Sequence, residues 1–410
     1  MGICAGIDLC NDHIALKVCG ESAASVYPAV ICREKKGEKW YIGEEAYRVA
    51  LSGEGVMTDK LLKLLMKDGT STVMRKVYTG SALVSQLIRA VLEERLSSAD
   101  FSCIDRLCVT LHKPDLEFFG KVKEAVVNAG IPAEKLILIS HEEAFVYYTL
   151  SREKDLWSGM VGMFDLCDES LCFYEMMMVR GMSRKCVVCE SRDMEEAFHT
   201  DILRKDSGKT LGDRIMTDIA KRNMEGRAYS ALFLTGNGFD RTDWAEGFLG
   251  YVCRKRKVLQ ESGLFAIGAS MAADDAERSE TQFPELIFCD GRTTADISLS
   301  VTIHERDSKL ILARAGSRWF GLRAHVEVAP EGQDYIGLLV ESFDSKKGKK
   351  EMRSSLASIQ EITERPERCS RIAVDLRFVS AERAELKFTD LGFGELFTGS
   401  GRYVEEELIL

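Results

Sequence analysis

Ile7-Asp8-Leu9-Cys10-Asn11-Asp12-His13-Ile14-Ala15-Leu16 and Phe164-Asp165-Leu166-Cys167-Asp168-Glu169-Ser170-Leu171-Cys172-Phe173 align without a gap and share Asp-Leu-Cys. Similar residues fill most other positions: Asn11 for Asp168, Asp12 for Glu169, Ile14 for Leu171 and Leu16 for Phe173. Each copy reads as an apolar strand, a short polar turn and a second, alternating strand, the signature of a tight β-hairpin. The chain therefore contains one architectural unit twice. Its 410 residues leave room for two or three domains.

After the first hairpin the pattern predicts a third strand over Val26 to Cys32, then a strand running into a helix at Trp40 to Ala46. Helical spacing follows at Met57 to Met66 and at Ser81 to Leu96, where Leu83, Leu87, Ile88, Val91 and Leu92 share a face. A strand (Leu107 to Leu111), a helix (Leu116 to Asn128) and a strand (Leu136 to Ile139) lead into a helix opened by His141-Glu142-Glu143. The second half repeats this order in shorter form. Strands at Met160 to Asp165, Ser170 to Met178 and Lys185 to Glu190 precede a helix around Gly212 to Asn223. A strand at Ala231 to Thr235, a turn at Gly236-Asn237-Gly238 and helices at Trp244 to Cys253 and near Gly268 to Ala273 complete it. Antiparallel strands followed by alternating helices and strands give α/β domains with mixed sheets, and two of them facing each other leave a cleft at the hairpin turns.

Several function classes are disfavoured. A formal charge of -10 argues against a general nucleic-acid binder, and the short basic patches at Arg254 to Lys257 and Lys346 to Lys350 read as solvated loops. No apolar run is long enough to span a bilayer and no signal-peptide order opens the chain, so a protein without membrane association, in the cytoplasm, is expected. Thirteen cysteines read as reduced thiols; Cys186 and Cys189 form a C-x-x-C that reads as strand rather than zinc knuckle. Gly208-Lys209-Thr210 mimics the end of a P-loop, but Leu203 stands where that pattern needs glycine, and a loop leading into a helix is the expectation.

From Phe283 onward the pattern is alternating strands: Asp296 to Ile303, Lys309 to Ala313, Ala324 to Val328, Ile336 to Glu341, Ile372 to Val379 and Ala384 to Thr389. Turn signals at Ala329-Pro330-Glu331-Gly332 and Lys346-Lys347-Gly348-Lys349 separate them. They predict a compact all-β domain, with acidic Ala272 to Glu280 as the linker before it.

The ordered series resembles the superfamily of actin, sugar kinases and DnaK-type heat-shock chaperones, the chaperone branch above all. Ala5-Gly6-Ile7-Asp8-Leu9 is similar to its first phosphate strand, and Tyr27-Pro28-Ala29-Val30 with Ile42-Gly43-Glu44-Glu45-Ala46 to the motifs that follow. Tyr78 to Leu96 resembles the helix before its fourth strand, and Leu107 to Ile139 the strand, helix and strand beyond. Phe164-Asp165-Leu166 stands where its second phosphate strand belongs, and Leu234-Thr235-Gly236-Asn237-Gly238 resembles its adenosine motif. Arg371 to Phe378 with Ala384 to Asp390 is similar to the hairpin ending the chaperones' β substrate-binding domain. The likeness implies two ribonuclease-H-like (actin-like ATPase) domains, 1–155 and 156–276, facing a cleft, and a β-sandwich-like domain, 283–410, that meets a protein or peptide partner.

By the same likeness, ATP or ADP with Mg2+ would sit at Asp8, Asn11, Asp165, Asp168, Gly236, Asn237 and Gly238. Asp8 and Asp165 would be the metal ligands, and His141 or Glu142 the catalytic base. Strand-end aspartates that cap their own turns are an equal reading of Asp8 and Asp165. The departures bear on catalysis. The family's turns are rich in glycine and threonine, so that backbone N–H groups cradle phosphate. Here Cys10-Asn11-Asp12 and Cys167-Asp168-Glu169 occupy them, and their carboxylates repel phosphate. The subdomain that covers one side of the adenine is missing, because one helix runs almost directly into Ala231, and no helical lid follows the β domain. Two functions are consistent with this. One is a DnaK-like protein that binds nucleotide weakly with little or no ATP hydrolysis. The other is a non-catalytic pseudo-ATPase scaffold that binds none; a small-molecule kinase fits worst, since no phosphate cradle remains.

Overall fold

The computed structural model describes residues 2–410 except 97–99, 169, 180–183, 331, 333, 345–348, 363–364 and 367–368. Glu169 and the turn at 346–348 therefore lie outside the described residues, as does Glu331. Two compact units are present: Met1–Met178 with Cys189–Pro284, and Val179–Val188 with Glu285–Leu410.

The first unit opens with the hairpin β1 (Ile3–Leu9) and β2 (His13–Val18), joined through Asn11 and Asp12, where the Cys10 N–H donates to the His13 carbonyl at 2.9 Å. β3 (Ser25–Pro28) adds to β2. The strand expected from Val26 to Cys32 is broken after Pro28, where the Val30 N–H turns back to donate to the Pro28 carbonyl at 2.8 Å. Its remainder becomes β4 (Ile31–Glu34), which pairs with β5 (Trp40–Ile42) and β6 (Gly55–Thr58) around α1 (Gly43–Leu51). The helix expected from Met57 is correspondingly short: β6 takes its start and α2 spans only Leu61–Met66. The hairpin β7 (Thr70–Val73) and β8 (Lys76–Thr79) leads to α3 (Gly80–Leu96), whose buried face is Leu83, Leu87, Ile88, Val91 and Leu92. β9 (Ile104–Leu111), α4 (Leu116–Asn128), β10 (Leu136–Ser140) and α5 (His141–Leu150) follow. The sheet order is β10-β9-β1-β2-β3, with β9 parallel to β1 and β10 parallel to β9.

The second half repeats that order. β11 (Met160–Cys167) and β12 (Ser170–Val179) form the antiparallel hairpin, followed by β13 (Cys186–Asp193), α6 (Asp206–Met224), β14 (Tyr229–Thr235), α7 (Glu246–Val252), β15 (Lys257–Gln260) and α8 (Leu264–Ala276). The order is β15-β14-β11-β12-β13, with β14 parallel to β11 and β15 parallel to β14. α6 begins earlier than expected and absorbs Gly208-Lys209-Thr210 into its first turns. α8 likewise takes Ala272–Ala276 out of the expected linker. Phe164, Phe173, Met216, Ile219, Phe239, Trp244 and Phe248 fill the core beneath α6 and α7.

α8 packs on β1, β2 and β9 of the first sheet and against α5. A Cβ on its Gly268 would lie 1.9 Å from the Ala144 carbonyl of α5, so only glycine permits this crossing. α5 is buried along its whole length, and its Ser140 N-cap accepts from the Glu143 N–H at 3.2 Å. No helix among the described residues is long and apolar enough to cross a membrane.

In the second unit, Cys186–Val188 pair in parallel with β16 (Leu286–Phe288). Two antiparallel four-stranded sheets follow. One orders β17 (Ala295–Ile303), β18 (Arg306–Ala313), β20 (Tyr335–Asp344) and β21 (Lys349–Ser358) as β18-β17-β20-β21; the other orders β19 (Arg323–Val328), β22 (Ile372–Ser380), β23 (Arg383–Asp390) and β26 (Tyr403–Ile409) as β19-β22-β23-β26. The minor pair β24 (Gly392–Phe393) and β25 (Phe397–Thr398) lies between β23 and β26 in sequence. Both large sheets contribute to one core, with Leu299, Leu312, Trp319 and Leu338 from the first half and Ile372, Val374, Leu386 and Phe388 from the second. The architecture of the chain as a whole is mixed α/β with several sheets.

Candidate functional site at the paired hairpins

Asp8 sits at the end of β1 with its carboxylate 1% exposed, and both oxygens are taken. Oδ1 accepts from His141 Nε2 at 2.8 Å and from the Cys10 thiol at 3.5 Å; Oδ2 accepts from His13 Nε2 at 3.2 Å. His13 Nδ1 lies 3.0 Å from Asp12 Oδ1. The two-residue turn creates this arrangement, because it puts Cys10 and His13 opposite each other just beyond Asp8.

Beyond His141 the hydrogen bonds continue. Its Nδ1 is 3.4 Å from the Tyr174 hydroxyl on β12, which is 3.2 Å from His112 Nδ1, and His112 Nε2 is 2.9 Å from Asp193 Oδ1. Lys113 also holds Asp193. The result is an unbroken series Asp12, His13, Asp8, His141, Tyr174, His112 and Asp193. Roles within it follow from the network: a charged His141 donates from both ring nitrogens, so Tyr174 accepts from it and donates to a neutral His112. The His141 ring stacks on Phe265 of α8 at 3.8 Å between centroids, which suits a cation.

The electrostatics agree with those roles. Burial acts to raise the Asp8 carboxyl, but the His141 charge and the hydrogen bonds of both imidazoles reverse this and hold it far below the usual carboxylate range. Burial opposes the charge on His141, yet Asp8 pushes it up to about 10. His13 is likewise raised, its burial outweighed by Cys10, Asp12 and Asp8, whereas burial and the His141 charge lower His112. Asp165 behaves oppositely to Asp8. Burial pushes it up to about 6 in spite of both imidazoles, and its hydrogen bond comes from the Cys167 thiol at 3.3 Å.

The fold thus brings Asp8 and His141 into contact and sets Asp165 near both. Glu142 is buried and accepts from Ser191 Oγ at 2.6 Å. Asn11 is exposed at the turn; Asp168 is half-buried and accepts from Thr200. Gly236 and Gly238 serve the packing of β14 against β11. Gly236 has φ +90, and a Cβ there would lie 2.2 Å from the Leu166 carbonyl and 2.8 Å from Asp165 Oδ1, while Gly238 presses on the Leu166 side chain. Asn237 is exposed. The Trp244 indole donates to the Gly238 carbonyl at 3.0 Å.

His13, His112, Tyr174 and Phe265 are the residues that sequence reasoning missed. Only His13 carried a signal: a two-residue turn at Asn11-Asp12 places it across from Cys10. Three donor groups, each within 4.8 Å, lie along the series: Asp8, Cys10 and His13; Asp12, His13 and Cys167; His112, Cys172 and Asp193. Cys186 and Cys189 are buried in β13, in the strand expected for them, and none of the thirteen cysteines is in a disulfide.

No curated protein matches the chain. A model described as a domain of unknown function (DUF8552) matches residues 292–410. The model described as the C-terminal part of a family of unknown function (DUF5716) matches residues 14–290, most of the chain, and the chain belongs to that family.

Proposed function

We propose that the chain is a divergent relative of the actin and DnaK-type superfamily that acts as a non-catalytic scaffold. In this reading the two repeated sheets are ribonuclease-H-like lobes, and the β-rich residues 283–410, a sandwich, meet a protein or peptide partner in the cytoplasm. The repeated strand order, with a hairpin followed by two parallel strands in each sheet, supports the fold. The observation that carries the function is Asp8, whose two oxygens are held by His141 and His13. Hydrated magnesium needs hard oxygen ligands, and two imidazoles occupy both Asp8 oxygens in place of one ion. The donors crowding the turns are nitrogen, sulfur and carboxylate, a poor fit to magnesium–nucleotide.

Titration of magnesium–ATP into the full chain is expected to give no saturable heat at millimolar nucleotide. A second reading, weak magnesium–nucleotide binding, is favoured by Asp165, whose carboxylate has a thiol rather than a base as its hydrogen-bond donor. Saturable heat that disappears in Asp165→Ala would establish that reading and end the scaffold one.

A further inference from the structure

Asp12, His13 and Cys167 bring three different metal-binding donors together from two elements far apart in sequence. Their ligand atoms lie within 4.8 Å of one another, against a spacing of roughly 3.3–3.8 Å around a tetrahedral zinc ion, so small side-chain rotations close the set. Asp12 and His13 come from the first Asp-Leu-Cys hairpin and Cys167 from the second.

Two further observations point to a ligand. Asp12 uses Oδ1 on His13, while its Oδ2 is buried with no hydrogen-bond partner, an arrangement that a cation would satisfy. His13 is also already oriented. Its Nε2 donates to Asp8 Oδ2, which directs Nδ1 toward Asp12, and a carboxylate behind a ligating imidazole is the usual outer support of a zinc-bound histidine. Cys10, grouped with Asp8 around the same imidazole, offers a further sulfur ligand. Mixed thiolate, imidazole and carboxylate donors select zinc or cobalt over magnesium or calcium.

We infer that Asp12, His13 Nδ1 and Cys167 form a binding site for a soft divalent cation, zinc by its donor set, that clamps the two repeated hairpins together. On binding, the cation replaces the protons on the His13 Nδ1 and Cys167 Sγ atoms, which pass to solvent. The inference deepens the scaffold reading, since a cation there occupies the ground that phosphate would need.

Cobalt is the probe. Titrated into the reduced full chain, Co2+ is expected to produce a thiolate-to-metal charge-transfer band that saturates at one equivalent and is displaced by zinc. Cys167→Ser should abolish the band or weaken binding at least about tenfold, and Cys172→Ser should leave it intact. No band in the parent, or a band lost in Cys172→Ser and kept in Cys167→Ser, overturns the assignment; the latter would move the cation to His112, Cys172 and Asp193. Should Cys167→Ser fail to fold, hydrogen exchange of the parent decides. Zinc is expected to raise protection at both hairpin turns, and protection at neither or at only one contradicts a clamp. Failure with cobalt leaves the nucleotide titration untouched, and a chain that binds both would end the scaffold reading alone.

Discussion

The two Asp-Leu-Cys hairpins share a strand order and similar residues at most positions, yet their aspartates live in opposite electrostatic surroundings. Asp8 is a fixed anion between two imidazoles; Asp165 is a buried carboxyl pushed up to about 6. The difference traces to few positions. Where the first hairpin has His13, opposite Cys10, the second has Ser170, opposite Cys167. His141 of α5 also points to the first copy, donating to Asp8 at 2.8 Å. A duplicated motif therefore preserves the place of a carboxylate and not its proton affinity, which is set by the groups around it.

The largest expected effect breaks the Asp8 side of this comparison. His141→Ala removes one of its two cations in a fully buried setting, and losing one partner of a buried pair costs about 3–5 kcal/mol; urea denaturation of the variant measures it. A third buried carboxylate sharpens the contrast. Asp390 accepts from Arg365 at 2.5 and 2.6 Å, from the Ser400 N–H and Oγ at 2.7 Å each and from the Gly392 N–H at 3.0 Å. Burial would raise it, but these bonds hold it well below the usual carboxylate range. Because the folded value is the lower one, its stabilisation is present above the unfolded value of about 3.9 and is lost as pH falls below it. Asp390→Asn should cost about 2 kcal/mol at neutral pH and flatten the acid dependence of exchange protection in β22 and β23. The smallest effect belongs to Asp165→Asn. Its carboxyl is already disfavoured as an anion, so denaturation should find the variant within about 1 kcal/mol of the parent; a loss equal to that of His141→Ala would erase the distinction between the hairpins.

Strands that carry the site were readable because burial on one or both faces imposes a pattern. Both hairpins, β9, β10 and α4 stand where alternation or helical spacing puts them, and α4 ends on the expected residues. Illegible elements lack that imprint. β21, Lys-Lys-Glu-Met-Arg-Ser-Ser-Leu-Ala-Ser, is an edge strand exposed at nearly every position, and β15 has four residues with none fully buried. β26 alternates only between half-buried and exposed positions. At the site, Asp8, Asp165 and His141 could be named from the strand ends and from the resemblance. The partnership of Asp8 with His13 and His141 could not, since it depends on the approach of α5 and on the hydrogen-bond order through Tyr174 and His112. Glu142 looked equivalent to His141 in sequence, but one helical position turns it to Ser191.

The central claim is that two charged imidazoles hold Asp8. Long-range proton–nitrogen correlation spectra of the histidine rings, recorded on the metal-free, reduced chain at pH 7, test it most directly. The account predicts that His13 and His141 show the nitrogen shifts of rings protonated at both positions while His112 shows one protonated and one bare nitrogen; a neutral His141 ring would contradict it.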